Sequence, residues 1–327
     1  YEQPGVFARE TARECVWLDC SPLIAGPATL ASIMRIALTG VSGFIGSVIA
    51  RQAAAAGYEV VGLVRPTSQR AHVVKVVHRF VEGTHDDPAA VASLLDGADA
   101  IIHNSFDWDA VRSGDFARHM KTNVEGSVAM LHAAGGRPFV YMSSVSVFHA
   151  ILDRWNGRLD ADHPTRPGSE YGAAKASVEA HLWARHAECG QPFAAIRPAA
   201  VYGIDPLLNR SIGAPIITAL RRDGTYAQAG GGKFVHVDDV AAATLAALKK
   251  TCGVYHLADC YARWGDLAVM AADLLSITAD IDLTSPEKPR NMFMTDDVQH
   301  DLGVTLDRGH AGIRTHLAHL IDVMGEA

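Results

Sequence analysis

The chain has 327 residues, 49% of them hydrophobic and 20% charged, enough apolar side chain for a sizeable core in one large domain or two unequal ones. A formal charge of -7 and the lack of a basic stripe argue against a general nucleic-acid binder. No stretch reaches the roughly 18 apolar residues that cross a bilayer, so no membrane partner is expected.

Residues 1–33 have neither the ordered basic, apolar and cleavage regions of a secretory signal nor strand-like alternation. Met34 stands just before the first convincing strand. The segment therefore reads as an N-terminal extension, either a product of start-site assignment or an extra element against the core. Five cysteines, at positions 15, 20, 189, 252 and 260, show neither metal-ligand spacing nor a dense disulfide pattern, so a reducing cytoplasm is the expected compartment. Cys15 and Cys20 are expected to be ordinary thiols.

From Met34 onward the pattern alternates. Met34–Thr39 predicts a strand, Gly46–Ala56 a helix and "YEVVGLVR" a second strand, all too continuously apolar for a half-exposed sheet. A third strand is expected near Val77–Val81, then a helix in "DPAAVASLLDG", a strand in "ADAIIHNS" and one long helix across much of Val111–Ala134. "PFVYMSSVSVF" reads as a fifth strand, followed by the helix of "YGAAKASVEAHLWARHA" and the strand "PFAAIRPAAVYG". This rhythm predicts an α/β fold, a doubly wound, mostly parallel Rossmann-type sheet. Residues 34–200 would form the principal nucleotide-binding region. A Gly/Pro-rich stretch from Tyr202 to Gly232 interrupts the rhythm. Residues 201–327 are thus expected to be mainly a small C-terminal substrate lobe, with returning elements that complete the sheet.

The stretch "RIALTGVSGFIGSVIA" carries Gly40, Gly43 and Gly46 between the first strand and the first helix. The first allows a tight turn, the second close approach of backbone to a ligand, the third close helix packing. The result is a helix end open to a pyrophosphate. At the end of the second strand, where an acidic residue would bind a free ribose, stands Arg65, with Arg70 nearby. Positive charge there fits a 2'-phosphate, so NADP is preferred and NAD remains possible.

Tyr171 and Lys175 are four apart on a predicted helix and share a face. A tyrosine of pKa about 10 needs such a cation to exchange a proton near neutrality. Ser144, near the end of the fifth strand, could polarise a carbonyl, and Tyr171 could protonate the oxygen as hydride arrives.

With these residues together, the chain resembles the extended, epimerase/dehydratase-like branch of the short-chain dehydrogenase/reductase superfamily. The resemblance runs from about Met34 onward and is strongest at "TGVSGFIGS", "SSVSVF", "YGAAK", "RPAAVYG" and "FVHVDDVA". It implies cofactor contacts at Gly40, Gly43, Phe44, Ile45, Gly46, Arg65, Thr84, Asn104, Lys175 and Pro198. It implies catalytic roles for Ser144, Tyr171 and Lys175, with Asn123 of "KTNVEG" supporting the lysine. In the family that lysine also contacts the nicotinamide ribose. Homodimerisation through the fourth and fifth α/β helices is implied too, with Ala173, Ala174 and Ser177 allowing close packing and Leu182 adding burial.

Departures from the family pattern narrow the reaction. Thr84 replaces the aspartate expected near adenine, and Asn104, Ser105 and Phe106 replace a run of small residues, crowding the nicotinamide side. Phe106 and Trp108 could line that pocket. Val145 follows Ser144 where a 4,6-dehydratase would carry an Asp-Glu pair, and Ser146 stands where certain related 3,5-epimerases carry a cysteine. Ala200 and Gly232 stand where sugar-nucleotide enzymes often place an Asn and an Arg, although Lys233 could compensate. His236, Asp238 and Asp239 read as a strand-to-helix junction, with no metal expected. The favoured function is an oxidoreductase interconverting a small-molecule carbonyl and a secondary alcohol. A sugar or sugar-nucleotide epimerase is the alternative, and a non-catalytic dinucleotide sensor the third reading.

Overall fold

The structure is a computed structural model and describes residues 33–326. Residues 1–32, including Cys15 and Cys20, lie outside the described residues. The chain begins with β1 (Arg35–Thr39), α1 (Phe44–Ala55), β2 (Glu59–Val64), β3 (Arg79–Glu82), α2 (Pro88–Leu95) and β4 (Ala100–His103). Short helices α3 (Trp108–Arg112), α4 (Phe116–His119) and α5 (Ser127–Ala133) precede β5 (Phe139–Met142), with a π-helical turn at Met120–Gly126 between α4 and α5. Next come β6 (Arg158–Leu159), α6 (Glu170–Cys189), β7 (Phe193–Pro198) and β8 (Ala200–Tyr202). The remainder contains α7 (Ala214–Asp223), β9 (Thr225–Tyr226), β10 (Gly231–His236), α8 (Val237–Ala247), β11 (Cys252–Leu257) and β12 (Cys260–Arg263). It closes with α9 (Trp264–Leu275), β13 (Asp280–Ile281), β14 (Met292–Phe293), α10 (Asp296–Leu302) and α11 (Gly309–Glu326).

Seven strands form one parallel sheet in the order β11, β7, β5, β4, β1, β2, β3. Ile36 of β1 pairs with Val60 on one side and Ala100 on the other. Both faces are covered, which is why these strands read as unbroken apolar runs. Ile36, Leu38, Ile102 and Ile196 pack with Ile49 of α1 and Val240 of α8 on one face. Ala37, Ile101, Phe139 and Tyr141 pack with Leu94, Leu131, Val178 and Leu182 on the other. A separate cluster of Tyr202, Ile217, Phe234, Leu267 and Leu317 forms the core of the C-terminal lobe.

Three expectations change. The long helix over Val111–Ala134 is broken, because Gly114 turns left-handed at φ 70° and Asp115 restarts α4 by accepting the Arg118 N–H at 3.0 Å. The strand "PFAAIRPAAVYG" divides at Ala199, and β8 leaves the main sheet to pair with β10. Proline at 198 has no N–H to continue the ladder there. Leu182 is fully buried in the subunit's own second layer, and Ala174 is 2% exposed, so neither is available to a subunit interface.

Candidate active site

Strand order reverses at β1, whose neighbours β4 and β2 lead their connections to opposite faces and leave a crevice at the strand ends. The glycine turn fills the floor of that crevice. Gly40 sits at φ 67°, and a Cβ on Gly46 would overlap the Gly40 carbonyl, so α1 can approach the turn only without a side chain there. No side chain caps α1 at Gly43 and no acid occupies its first turn, leaving the helix N-terminal N–H groups for an anion. Asn104 and Ser105 each donate a backbone N–H to Thr39 Oγ1 at 3.0 Å, and Asn104 Nδ2 reaches Gly40 O at 3.5 Å. These bonds brace the turn from the β4 side.

A cavity of about 940 Å³ runs along this crevice. Gly40, Gly43, Phe44, Ile45, Arg65, Thr84 and Asn104 line it, so most of the expected cofactor contacts share one groove. Its volume, glycine floor and uncapped helix end fit a dinucleotide. Gly46 and Pro198 are buried and do not line the groove. Arg65 stands at the open end with Ser68 and forms a 3.6 Å ion pair with Asp109, both side chains more than half exposed. Such a pair is weakly held and can yield to a better anion. Arg70 is engaged instead with Glu82 at 2.8 Å and with the face of Phe80.

Beyond Phe106 and Trp108, which line the groove, α6 is drawn onto the turn after β5. A Cβ on Gly172 would collide with Ser146 O, so this glycine sets how closely Tyr171 approaches Ser144. A buried ion pair between Glu179 of α6 and Arg197 of β7, with a 2.9 Å Nε–Oε1 hydrogen bond, and a hydrogen bond from Ser143 to Glu179 hold the helix there. Ser144 is extended at the end of β5, its Oγ accepting the Ser146 N–H at 3.1 Å. Burial raises the Tyr171 phenol above its usual range, and the facing Ser144 hydroxyl opposes that rise. Tyr171 is therefore a protonated acid at neutral pH.

Lys175 is 3% exposed and donates to Met142 O at 2.6 Å. Its ammonium is otherwise enclosed by rings, with Tyr141, Phe106 and Tyr171 centroids 4.6, 4.8 and 5.9 Å away. Burial lowers it to about 7, against the pull of Glu179. Phe106 thus crowds the Lys175 ammonium. Trp108 stacks on Tyr171 at 4.6 Å and 27°, and Phe106 meets the same ring edge-on at 5.0 Å. The Asn123 side chain accepts the Asp107 N–H and donates to Asp107 O. The π-helical turn aims Asn123 at the loop after β4.

Two buried histidines beneath the groove escaped the sequence reading. His103 bonds Thr39 Oγ1 and Ser127 Oγ, each at 2.8 Å, and His85 bonds Thr122 O at 2.9 Å and Ser105 at 3.2 Å. Burial holds both below the usual histidine range, so they form a neutral polar floor. Their signal was faint: His103 closes an apolar run, and His85 stands among the polar residues after the third strand. His236 caps α8 and Asp239 pairs with Arg308 at 2.7 Å, so that acidic cluster joins the strand to the helix and to the C-terminal lobe.

The model of the NAD dependent epimerase/dehydratase family matches residues 36–258. A dTDP-glucose 4,6-dehydratase from Streptomyces niveus is 30% identical over 249 residues, 68% of this chain and 72% of that protein. A 3-beta-hydroxysteroid dehydrogenase from Mycolicibacterium neoaurum is 29% identical over 188 residues, 54% of this chain but only half of that protein. Among solved structures, UDP-glucose 4-epimerase of Thermus thermophilus in complex with NAD superposes with a TM-score of 0.73 at 21% identity, covering 88% of this chain and 99% of the other. The chain accordingly belongs to the NAD-dependent epimerase/dehydratase family, within the extended short-chain dehydrogenase/reductases, and is an enzyme of that type.

Proposed function

We propose that the enzyme interconverts a small-molecule carbonyl and a secondary alcohol, with NADP(H) preferred over NAD(H). The observation that carries this reading is the convergence of Ser144, a protonated Tyr171 and a desolvated Lys175 behind Phe106 and Trp108, two residues that line the groove. A bound nicotinamide would supply or accept the hydride. Gly40 and Gly43 would hold its pyrophosphate, Arg65 and Ser68 a 2'-phosphate, and Thr84 the adenosine side. Ser144 Oγ orients the carbonyl oxygen, and Tyr171 Oη gives that oxygen its proton as negative charge develops. Because the phenol is raised, reduction runs with the acid already in its working form, whereas alcohol oxidation needs the phenolate and gains from higher pH.

Several features support reduction over the sugar-nucleotide chemistries. Val145 and Ser146 offer no acid–base pair for dehydration. Gly232 and Ala200 offer no polar side chain to a substrate pyrophosphate, and Lys233 lies over the Phe293 ring at 5.4 Å. The steroid dehydrogenase relative bears a name of the same reaction class. Epimerisation of a sugar nucleotide is the second reading, favoured by the fold shared with the Thermus enzyme.

An NADPH-consumption screen over ketones, aldehydes, steroid-like ketones and sugar nucleotides tests this, followed by Tyr171→Phe on the best substrate. The variant keeps the ring stack but loses the proton donor, so kcat should fall about 10²- to 10⁴-fold. Parent-like turnover in the variant, with chemistry rate-limiting, removes Tyr171 from the role.

A homodimer is proposed as the working assembly. A groove of about 510 Å³ on the outer face of the π-helical turn, α5 and α6 is lined by Met120, Val124, Val128 and His181. A cytoplasmic setting is proposed from the free thiols Cys189, Cys252 and Cys260. No helix among the described residues is long and apolar enough to cross a membrane.

A further inference from the structure

We infer that His119 is a positioning residue: it ties the aromatic segment Phe106–Trp108 to the helix that carries Tyr171 and Lys175, and so holds the acid and its cation in register. The inference rests on the carbonyl–alcohol reading above.

Asn123 bonds both backbone polar groups of Asp107, and so holds the two peptides on either side of it. The Asp107 N–H donates to Asn123 Oδ1 at 2.7 Å, and Asn123 Nδ2 donates to Asp107 O at 3.1 Å. These two bonds fix which amide atom is nitrogen. The same Nδ2 lies 2.9 Å from His119 Nδ1, which must therefore accept, placing the ring proton on Nε2. Nε2 points at Glu170 O, 3.3 Å away, the carbonyl directly before Tyr171. His119 is 2% and Asn123 1% exposed, so water does not compete.

Each end of this chain of bonds touches the chemistry. Asp107 lies between Phe106 and Trp108, whose rings pack on Tyr171 and, for Phe106, on the Lys175 ammonium. Glu170 opens α6. The π-helical turn begins directly after His119, and widened turns of this kind recur at functional sites. Space-filling alone does not require a histidine, since a phenyl ring has similar volume and could keep the edge contact with Phe106 at 5.9 Å. What histidine adds is one acceptor and one donor on opposite sides of the ring.

The test compares His119→Phe and His119→Gln in the full chain. His119→Phe should lower kcat for ketone reduction about 10²-fold, the scale of a misplaced reacting group, while KM for NADPH stays near the parent value. His119→Gln keeps an acceptor and a donor and should recover most of the loss. A cofactor-free readout accompanies it: Trp108 emission, taken as the difference between each protein and its Trp108→Phe counterpart, should shift red in His119→Phe and not in His119→Gln. Parent-like kcat in His119→Phe, or equal losses in both variants with equally lowered melting temperatures, overturns the inference. If the parent chain reduces no carbonyl, the functional reading fails, and the emission comparison alone decides the bracket: an unshifted His119→Phe refutes it.

Discussion

Replacing Lys175 with Met should stabilise the fold at neutral and acid pH while abolishing turnover. The lysine is buried with one hydrogen bond, to Met142 O, and its pKa falls from 10.5 to about 7. A shift of that size corresponds to about 5 kcal/mol of disfavour for the charged form. The three enclosing rings return about 0.5–1 kcal/mol each and the hydrogen bond about 1 kcal/mol, leaving a net cost of about 2 kcal/mol. For a chain of this size, with an unfolding entropy of about 0.7 kcal/mol/K, that is a rise in Tm of about 3 °C on substitution. Below pH 7 both folded and unfolded states hold the proton, so the penalty is complete. Between pH 7 and 10.5 the unfolded state holds it and the folded state does not, so the parent's stability climbs with pH. Lys175→Met lacks this climb, and the gap between the proteins should be widest at pH 6 and narrow by pH 9. Thermal unfolding followed by circular dichroism at the two pH values, beside NADPH turnover, measures both halves. A variant that melts below the parent at pH 6, or a gap unchanged between pH 6 and 9, would refute the claim that burial of this cation is costly and retained for chemistry.

Arg65→Asp should weaken NADPH by about 10- to 100-fold and NADH far less, since a hydrogen bond to a charged group is worth about 1.5–3 kcal/mol and the Asp109 pair that Arg65 gives up is exposed. Titration of both cofactors at one ionic strength checks it, and equal losses for the two would sink the 2'-phosphate assignment. Val128→Asp, on the outer apolar groove, should convert a dimer to a folded monomer with a lowered Tm, because that side chain is partly buried against the second-layer core and the dimer's contribution to stability is lost. Light scattering over a concentration series reads this directly; a parent chain that is monomeric throughout, or a variant that stays dimeric, rejects the face.

What the sequence determined by itself was local or strictly repetitive. Gly40, Gly43 and Gly46 follow an apolar run that is too continuous for a half-exposed strand, and such a turn has few other uses. Tyr171 and Lys175 share a helix face by spacing alone, and alternating strands and helices leave few topologies besides a parallel sheet. Tertiary structure decided what depends on contacts distant in the chain. That Lys175 is sealed among Phe106, Tyr141 and Tyr171 required three separate elements to meet. That Leu182 faces inward, and that β8 abandons the main sheet for β10, followed from where neighbouring layers left room. Asn123 was visible as a side chain, but its partner was not. A π-helical turn rotates each side chain relative to an α-helix, and a sequence read at 3.6 residues per turn could not aim it at Asp107.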